Sequence, residues 1–159
     1  MHRDIKMENI LVSVDAEGLI YDVKLADFGK AITFSSSQNL EGLCGTIGYM
    51  APELVTQGTT YNHQVDVWSL GIVYFCLIAG EMPFKGESMD DINHAVLNKK
   101  LSFKSIGWNR CSPEAQKMVR GMLCKDPNKR LTIKQVMNHK FFTTKSKQRG
   151  RCLLHCTCG

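Results

Sequence analysis

The chain lacks any hydrophobic run long enough to cross a membrane. The longest apolar stretch, residues 67–79, has thirteen residues and includes Ser69, whereas a membrane-spanning helix needs about 20 apolar residues. The N-terminal residues are polar and charged, so they do not resemble a secretory signal peptide. We therefore expect no membrane span and a cytoplasmic, or alternatively nuclear, location in which the seven cysteines stay reduced.

The body of the chain also lacks an excess of either charge. The formal net charge is +5, but Lys145, Lys147, Arg149 and Arg151 lie in the last seventeen residues, which contain no Asp or Glu. Without these four, 16 basic residues face 15 acidic ones. Nucleic-acid binding requires positive charge that is clustered on a folded face, so we expect no nucleic-acid partner.

Local patterns predict an α+β chain that is mainly helical, with one short β-hairpin. Ile10–Val14 and Ile20–Leu25 are rich in β-branched residues and are separated by a Gly-containing turn. Residues 30–45 are polar and lack periodicity, which predicts an exposed loop. Gln64–Ala79 is apolar on nearly every side, which predicts a buried helix that ends at Gly80.

Further helix starts are predicted where N-capping residues precede apolar periodicity, at Ser88, Ser112 and Thr132. We predict that residues 1–142 form the folded domain. Residues 143–159 are predicted to form a basic, cysteine-containing, disordered tail. Zinc binding or acylation of the tail cysteines are the alternatives.

Two short segments combine charged side chains with residues that favour tight turns. Asp4, Lys6 and Asn9 precede the first predicted strand, and Asp27-Phe28-Gly29 follows the second. Carboxylate and amide oxygens are the ligands that Mg²⁺ prefers, and Mg²⁺ commonly bridges to substrate phosphates. A nearby lysine supplies a mobile positive charge for a phosphate.

The order of these segments resembles the signature of protein kinases. His2-Arg3-Asp4 with Lys6 and Asn9, a hairpin, Asp27-Phe28-Gly29, a polar loop and Ala51-Pro52-Glu53 follow one another as in that family. The chain thus resembles the large C-terminal lobe of a eukaryotic Ser/Thr protein kinase, from His2 to about Phe142. Its later segments are similar to the calcium/calmodulin-dependent group.

The resemblance implies a role for each matching residue. Asp4 would be the catalytic base, and Lys6 would bind ATP and stabilise charge on the transferred phosphoryl group. Asn9 and Asp27 would hold Mg²⁺, so the implied cofactors are ATP and Mg²⁺. Lys6, two residues after Asp4, and Thr46, ahead of Ala51-Pro52-Glu53, resemble the residues found at these places in Ser/Thr kinases. The implied partners are therefore protein substrates with Ser or Thr acceptors.

Other matching residues would support the fold. The resemblance implies a buried ion pair between Glu53 and Arg130. It also implies that Asp66 braces the backbone of the catalytic loop, and that His2 and Phe28 belong to a packed hydrophobic spine.

Residues 27–53 would then be the activation segment, which an upstream kinase or another regulator could order through Arg3. Gly42 stands where many relatives carry a phosphorylatable Thr. Either Glu41 supplies a fixed negative charge, or one of Ser35, Ser36 and Ser37 is modified. Lys30 and Ile47 also depart from the family pattern, and both adjoin the expected peptide groove.

The sequence contains no G-x-G-x-x-G loop and no strand lysine of the Val-Ala-Ile-Lys type. We therefore expect the small N-terminal lobe, which covers ATP in this family, to be absent from the chain. Two hypotheses follow. The chain is a part of an active kinase, or it is a catalytically inactive truncated kinase that binds substrates or regulators.

Overall fold

The structure is a computed structural model that describes residues 1–35, 40–56 and 58–144, with side chains up to residue 142. It begins with an antiparallel hairpin of β1 (Ile10–Val14) and β2 (Ile20–Leu25), in which Ile10 lies opposite Leu25. The Asp15 carboxylate accepts hydrogen bonds from two backbone amides of the connecting turn, which favours a tight reversal. The predicted hairpin is confirmed.

Short 3₁₀ turns flank the hairpin, at Met7–Asn9 before β1 and at Phe28–Lys30 after β2. The remaining regular structure of the described residues is helical. It comprises α1 (Pro52–Val55), α2 (Gln64–Ala79), α3 (Met89–Asn98), α4 (Ile106–Asn109), α5 (Pro113–Met122), α6 (Ile133–Met137) and α7 (Lys140–Thr144). The chain therefore has the predicted α+β composition, with helices dominant.

The predicted helix boundaries agree with the capping contacts. Ser88, Ser112 and Thr132 each accept a hydrogen bond from the backbone amide three residues later, which satisfies a donor that the helix leaves unpaired. Gly80 ends α2 in the left-handed region, with φ of 72°. Helix α7 ends at Thr144, so Thr143 and Thr144, the first two residues of the predicted tail, are helical instead. The rest of the predicted tail, from residue 145 onward, lies outside the described residues.

The hydrophobic core is built around α2. Trp68 and Ile72 on this helix are fully buried, as are Met118 and Met122 on the apolar face of α5. Each such side chain contributes about 1.5–3 kcal/mol through removal of apolar surface from water. The last turn of α2 is less covered than predicted, since Leu77 is 46% exposed.

Helix α4 approaches the end of α2 so closely that only glycine fits at the contact. A Cβ atom on Gly107 would lie 1.8 Å from the carbonyl oxygen of Ile78. We expect Gly107→Ala to destabilise the fold by about 1–3 kcal/mol, because backbone must move to relieve the overlap. Urea unfolding measures this effect. Asn109→Ala, an exposed change on the same helix, is the control and should shift stability by about 0.5 kcal/mol at most. An equal effect of both changes would contradict the close approach.

The hairpin carries apolar side chains that remain at the surface. Val12 and Val23, which lie opposite each other in the sheet register, are 52% and 59% exposed. Contiguous exposed apolar surface of this kind marks an interaction site or an aggregation risk in soluble proteins. Within the described part of the chain, no helix has the length and apolar character needed to span a bilayer.

Candidate active site

The segment around Asp4 is fixed to the core by one carboxylate. Asp66, in the first turn of α2, accepts hydrogen bonds from the backbone amides of His2 at 2.7 Å and Arg3 at 2.8 Å, through its two oxygens. Arg3 takes a left-handed backbone conformation with φ of 69°, which costs on the order of 1 kcal/mol and needs such support. The predicted bracing role of Asp66 is confirmed.

Asp4 lies at the centre of a cluster of polar side chains from three segments. Its side chain is nearly buried, at 3% exposure. Oδ1 accepts a hydrogen bond from Thr46 Oγ1 at 2.6 Å, and Oδ2 accepts one from Lys30 Nζ at 3.0 Å. Lys6 Nζ lies 3.6 Å from Oδ2 and donates to Thr46 Oγ1 at 3.2 Å. Asp4, Lys6 and Thr46 thus meet, as the resemblance implies.

The surroundings keep Asp4 ionised. Burial alone would raise the pKa of this carboxyl, but the hydrogen bonds from Thr46 and Lys30, with the charges of Lys30 and Lys6, outweigh burial. The net result is a pKa below the ordinary value of an aspartate. Asp4 is therefore a carboxylate at neutral pH, which is the form that can accept a proton.

Asn9 and Asp27 are brought together by the backbone. The amide of Ala26 donates to the Asn9 carbonyl oxygen at 2.8 Å, so Asp27 follows directly beside Asn9. Asn9 is buried, and its Nδ2 donates to the Asp4 carbonyl oxygen at 2.9 Å. Asp27 is exposed, has φ of 60°, and accepts a hydrogen bond from the Gly29 amide at 3.2 Å.

This donor set fits Mg²⁺ and a nucleotide phosphate. The exposed Asp27 carboxylate and the side-chain oxygen of Asn9 are hard oxygen ligands. Mg²⁺ usually takes only one or two carboxylates from the protein and completes its shell with phosphates and water. No group of three or more His, Cys, Asp or Glu side chains suited to a metal occurs among the residues described. A magnesium ion at this site would therefore be held by Asn9 and Asp27 together with a phosphate and water.

Arg3 holds the loop after Asp27. Its Nε donates to the Lys30 carbonyl oxygen at 2.6 Å, and Nη1 donates to the Tyr61 hydroxyl at 3.3 Å. Arg3 and Glu41, both within the described residues, form no ion pair. The hypothesis that Glu41 replaces a phosphate stays a prediction. Ser36 and Ser37, two of the candidate modification sites, lie outside the described residues.

The predicted ion pair between Glu53 and Arg130 is present and bidentate. Arg130 Nη1 and Nη2 donate to the two Glu53 oxygens at 2.7 and 2.9 Å. The same guanidinium also donates to the carbonyl oxygens of Cys124, Gln64 and Lys125. The Arg130 side chain is fully buried. It thereby joins the start of α1, the start of α2 and the loop after α5.

The predicted packing of His2 and Phe28 is met only in part. Their rings contact each other edge to face, with centroids 4.9 Å apart, and His2 is buried. Phe28 is 61% exposed, since its ring contacts His2 along one edge and faces outward elsewhere. The expectation of a fully packed Phe28 is therefore wrong for this structure.

A cavity of about 410 Å³ opens at Ile47, the residue that follows Thr46. It lies between the segment that contains Ile47 and the first turn of α3, and it is lined in part by Leu43, Ile47, Met50 and Met89. Ile47, a departure from the family pattern, thus lines a space that is large enough for a side chain of a bound peptide.

Sequence reasoning missed two contacts. It marked Lys30 as unusual but did not place its ammonium on Asp4, and it gave no role to Tyr61, whose hydroxyl contacts Arg3. The charge of Lys30 next to Asp27-Phe28-Gly29 was a usable signal. Tyr61 offered none, because nothing local marks a residue that acts 58 positions away.

Comparison with known proteins agrees with this geometry. The family model described as protein kinase domain matches residues 1–142. The chain is 39% identical over 139 residues to the serine/threonine-protein kinase PEPKR2 of Arabidopsis thaliana, covering 87% of this chain and 28% of that protein. It is 38% identical over 140 residues to calcium-dependent protein kinase 26 of the same plant, with the same two coverages.

A third relative is a probable myosin light chain kinase of Dictyostelium discoideum, 36% identical over 137 residues. The match covers 86% of this chain and 38% of that protein. The chain therefore spans well under half the length of these relatives. With 142 residues matched by one family model, the chain belongs to the protein kinase family.

Proposed function

We propose that the protein transfers the γ-phosphoryl group of Mg·ATP to Ser or Thr hydroxyls of protein substrates. The observation that carries the proposal is the Asp4 carboxylate, held in ionised form by Thr46 and two lysines. A buried, oriented carboxylate of this kind can accept the proton of an acceptor hydroxyl. The similarity to serine/threonine kinases supports the same acceptor class.

Each of the other site residues has a part in this reaction. Lys6 lies beside the base and would bind the transferred phosphoryl group, where it offsets negative charge. Asn9 and Asp27 would hold Mg²⁺, which neutralises charge on the phosphate oxygens when it is bound. Thr46 orients Asp4 by donating its only hydroxyl proton to Oδ1. Catalysis here is mostly positioning and charge.

We further propose that residues 1–142 correspond to the large C-terminal lobe of the kinase fold. The helical bundle around α2, the hairpin that follows Asn9, and the Glu53–Arg130 pair support this assignment. In this family a small lobe covers the nucleotide phosphates. The protein would therefore act on substrates as a part of a two-lobed kinase domain.

An acceptor assay tests the proposal. The protein in its full natural length is incubated with Mg·ATP and three peptides that differ only in a single Ser, Thr or Tyr acceptor. We expect phosphate on Ser and Thr and none on Tyr, because Thr46 and Lys6 crowd the base and favour a short side chain. Labelling of Tyr alone would overturn the acceptor class. Peptide binding without any labelling would overturn catalysis and favour the inactive binding module.

A further inference from the structure

The ammonium group of Lys30 contacts one of the two carboxylate oxygens of Asp4, the base of the proposed reaction. Its Nζ lies 3.0 Å from Asp4 Oδ2, closer than the 3.6 Å of Lys6, and it also donates to the Gly45 carbonyl oxygen at 3.4 Å. Oδ1 accepts the Thr46 hydroxyl. An acceptor hydroxyl that brings its proton to Oδ2 therefore meets Lys30 there.

This contact weakens Asp4 as a base. A carboxylate oxygen can accept a second hydrogen bond, but the positive charge of Lys30 disfavours transfer of a further proton to it. Lys6 alone would leave the approach to Oδ2 more open, because it lies farther away and divides its contacts with Thr46. Efficient transfer thus requires that Lys30 move from Asp4 when the acceptor binds.

Lys30 is able to move because its side chain is 44% exposed, whereas the Asp4 side chain is 3% exposed. A lysine carries its charge on a flexible four-carbon stem. Water can solvate an ammonium that leaves a carboxylate, and a second anion nearby stabilises the displaced position further. The Gly45 carbonyl contact places Lys30 beside the segment with Thr46 and Ile47, along which the acceptor peptide would lie.

We propose that Lys30 selects peptides that carry an anionic side chain next to the acceptor Ser or Thr, and that this anion draws the ammonium away from Asp4 Oδ2. The inference rests on the proposed function and names its substrate class. The anion can be a carboxylate or the phosphate of a neighbouring phosphorylated residue, since both accept hydrogen bonds from an ammonium.

Peptide binding tests the inference without any phosphoryl transfer. The whole protein is titrated into fluorescent peptides with one Ser, flanked on both sides by Gln, by Glu or by phosphoserine, and anisotropy is recorded. We expect the Glu peptide to bind about fivefold more tightly than the Gln peptide, the upper range for a partly exposed ion pair. The phosphoserine peptide shows whether a phosphate serves better than a carboxylate.

Variants of Lys30 supply the decisive comparison. Lys30→Met should bind the Glu and Gln peptides equally, Lys30→Arg should keep the preference, and Lys30→Glu should reverse it. Lys85→Met, which removes an exposed lysine paired with Glu81 far from the cluster in sequence, is the matched control and should behave as the unaltered protein. Because Lys30 is exposed, these variants should fold, which circular dichroism verifies.

A second readout concerns Asp4 itself. Lys30→Met should raise the pKa of the Asp4 carboxyl, since it removes a hydrogen bond and a positive charge that lower it. The carboxyl carbon shift in NMR, followed against pH, measures this change. A structural role for Lys30 that does not involve Asp4 would leave the titration unchanged and would overturn the inference.

Other results would also overturn it. A Glu preference that survives in Lys30→Met, or that is absent from the unaltered protein, assigns no selection to Lys30. Weaker ATP binding by Lys30→Met with unchanged peptide preference would place Lys30 on the nucleotide instead. If the preference depends on Lys30 but no phosphate is transferred, the inference stands and the proposed catalysis fails. If phosphate is transferred to Ser but Glu peptides are not preferred, the proposed catalysis stands and the inference about Lys30 fails.

Discussion

Arg130→Met should lower the free energy of unfolding by about 3–5 kcal/mol, the cost of removing one partner from a buried ion pair. The change leaves the nearly buried Glu53 carboxylate without its cation. It also removes the donor from the carbonyl oxygens of Cys124, Gln64 and Lys125. Urea unfolding followed by circular dichroism measures the loss. Since Met keeps most of the volume, the effect is one of charge and hydrogen bonding.

A double-mutant cycle separates the ion pair from the other contacts. Glu53→Gln should cost less than Arg130→Met, because an amide oxygen still accepts a hydrogen bond from the guanidinium. The double variant should be less destabilised than the sum of the two single variants, as expected for groups in direct contact. Lys117→Met, which breaks the exposed pair with Glu114, should change stability by about 1 kcal/mol at most. A similarly small loss for Arg130→Met would contradict the importance of the buried pair.

Asp4→Asn should reduce phosphoryl transfer by the protein of full natural length by about 10²–10⁴-fold, the usual contribution of general base catalysis. The amide has nearly the same shape, and its oxygen can still accept the hydrogen bond from Thr46. It cannot take up the proton of an acceptor hydroxyl at neutral pH. The loss should therefore appear in kcat, while the KM for the peptide changes little.

The control for this change is Asp22→Asn, on β2, where the carboxylate pairs with Lys24 at the surface. It should leave both kinetic constants unchanged. Peptide binding by the Asp4→Asn variant, measured by anisotropy, verifies that the substrate still docks. Turnover of Asp4→Asn within a few-fold of the unaltered protein would exclude Asp4 as the base and leave its role to orientation alone.

Local sequence signals predicted the hairpin and the helices α2, α3, α5 and α6, but not the short helices α1, α4 and α7. The hairpin was predictable because β-branched runs flank a Gly-containing turn, and Ser88, Ser112 and Thr132 were predictable as caps because their side chains act within three residues. The exposed last turn of α2 could not be predicted, since its apolar pattern is the same as that of the buried turns. Burial there depends on which helices pack against it.

The site was predictable to the extent that it follows the family pattern. The bracing by Asp66 and the pairing of Glu53 with Arg130 join residues more than 60 positions apart, and only the resemblance made them visible. The contact of Lys30 with Asp4 could not be predicted in this way, because Lys30 is the departure from the pattern. A one-residue change of charge becomes informative only when the fold places it 3.0 Å from a carboxylate.

The bracing of the His2–Arg3 backbone by Asp66 couples the thermal stability of the fold to the geometry of the candidate active site. Asp66 stands on α2, the helix that also carries the fully buried Trp68 and Ile72. The backbone around Asp4 therefore has the same rigid support as the core. Warming that loosens α2 would release the Asp4 segment at the same temperature, so the geometry of the site and the tertiary fold should melt as one cooperative unit.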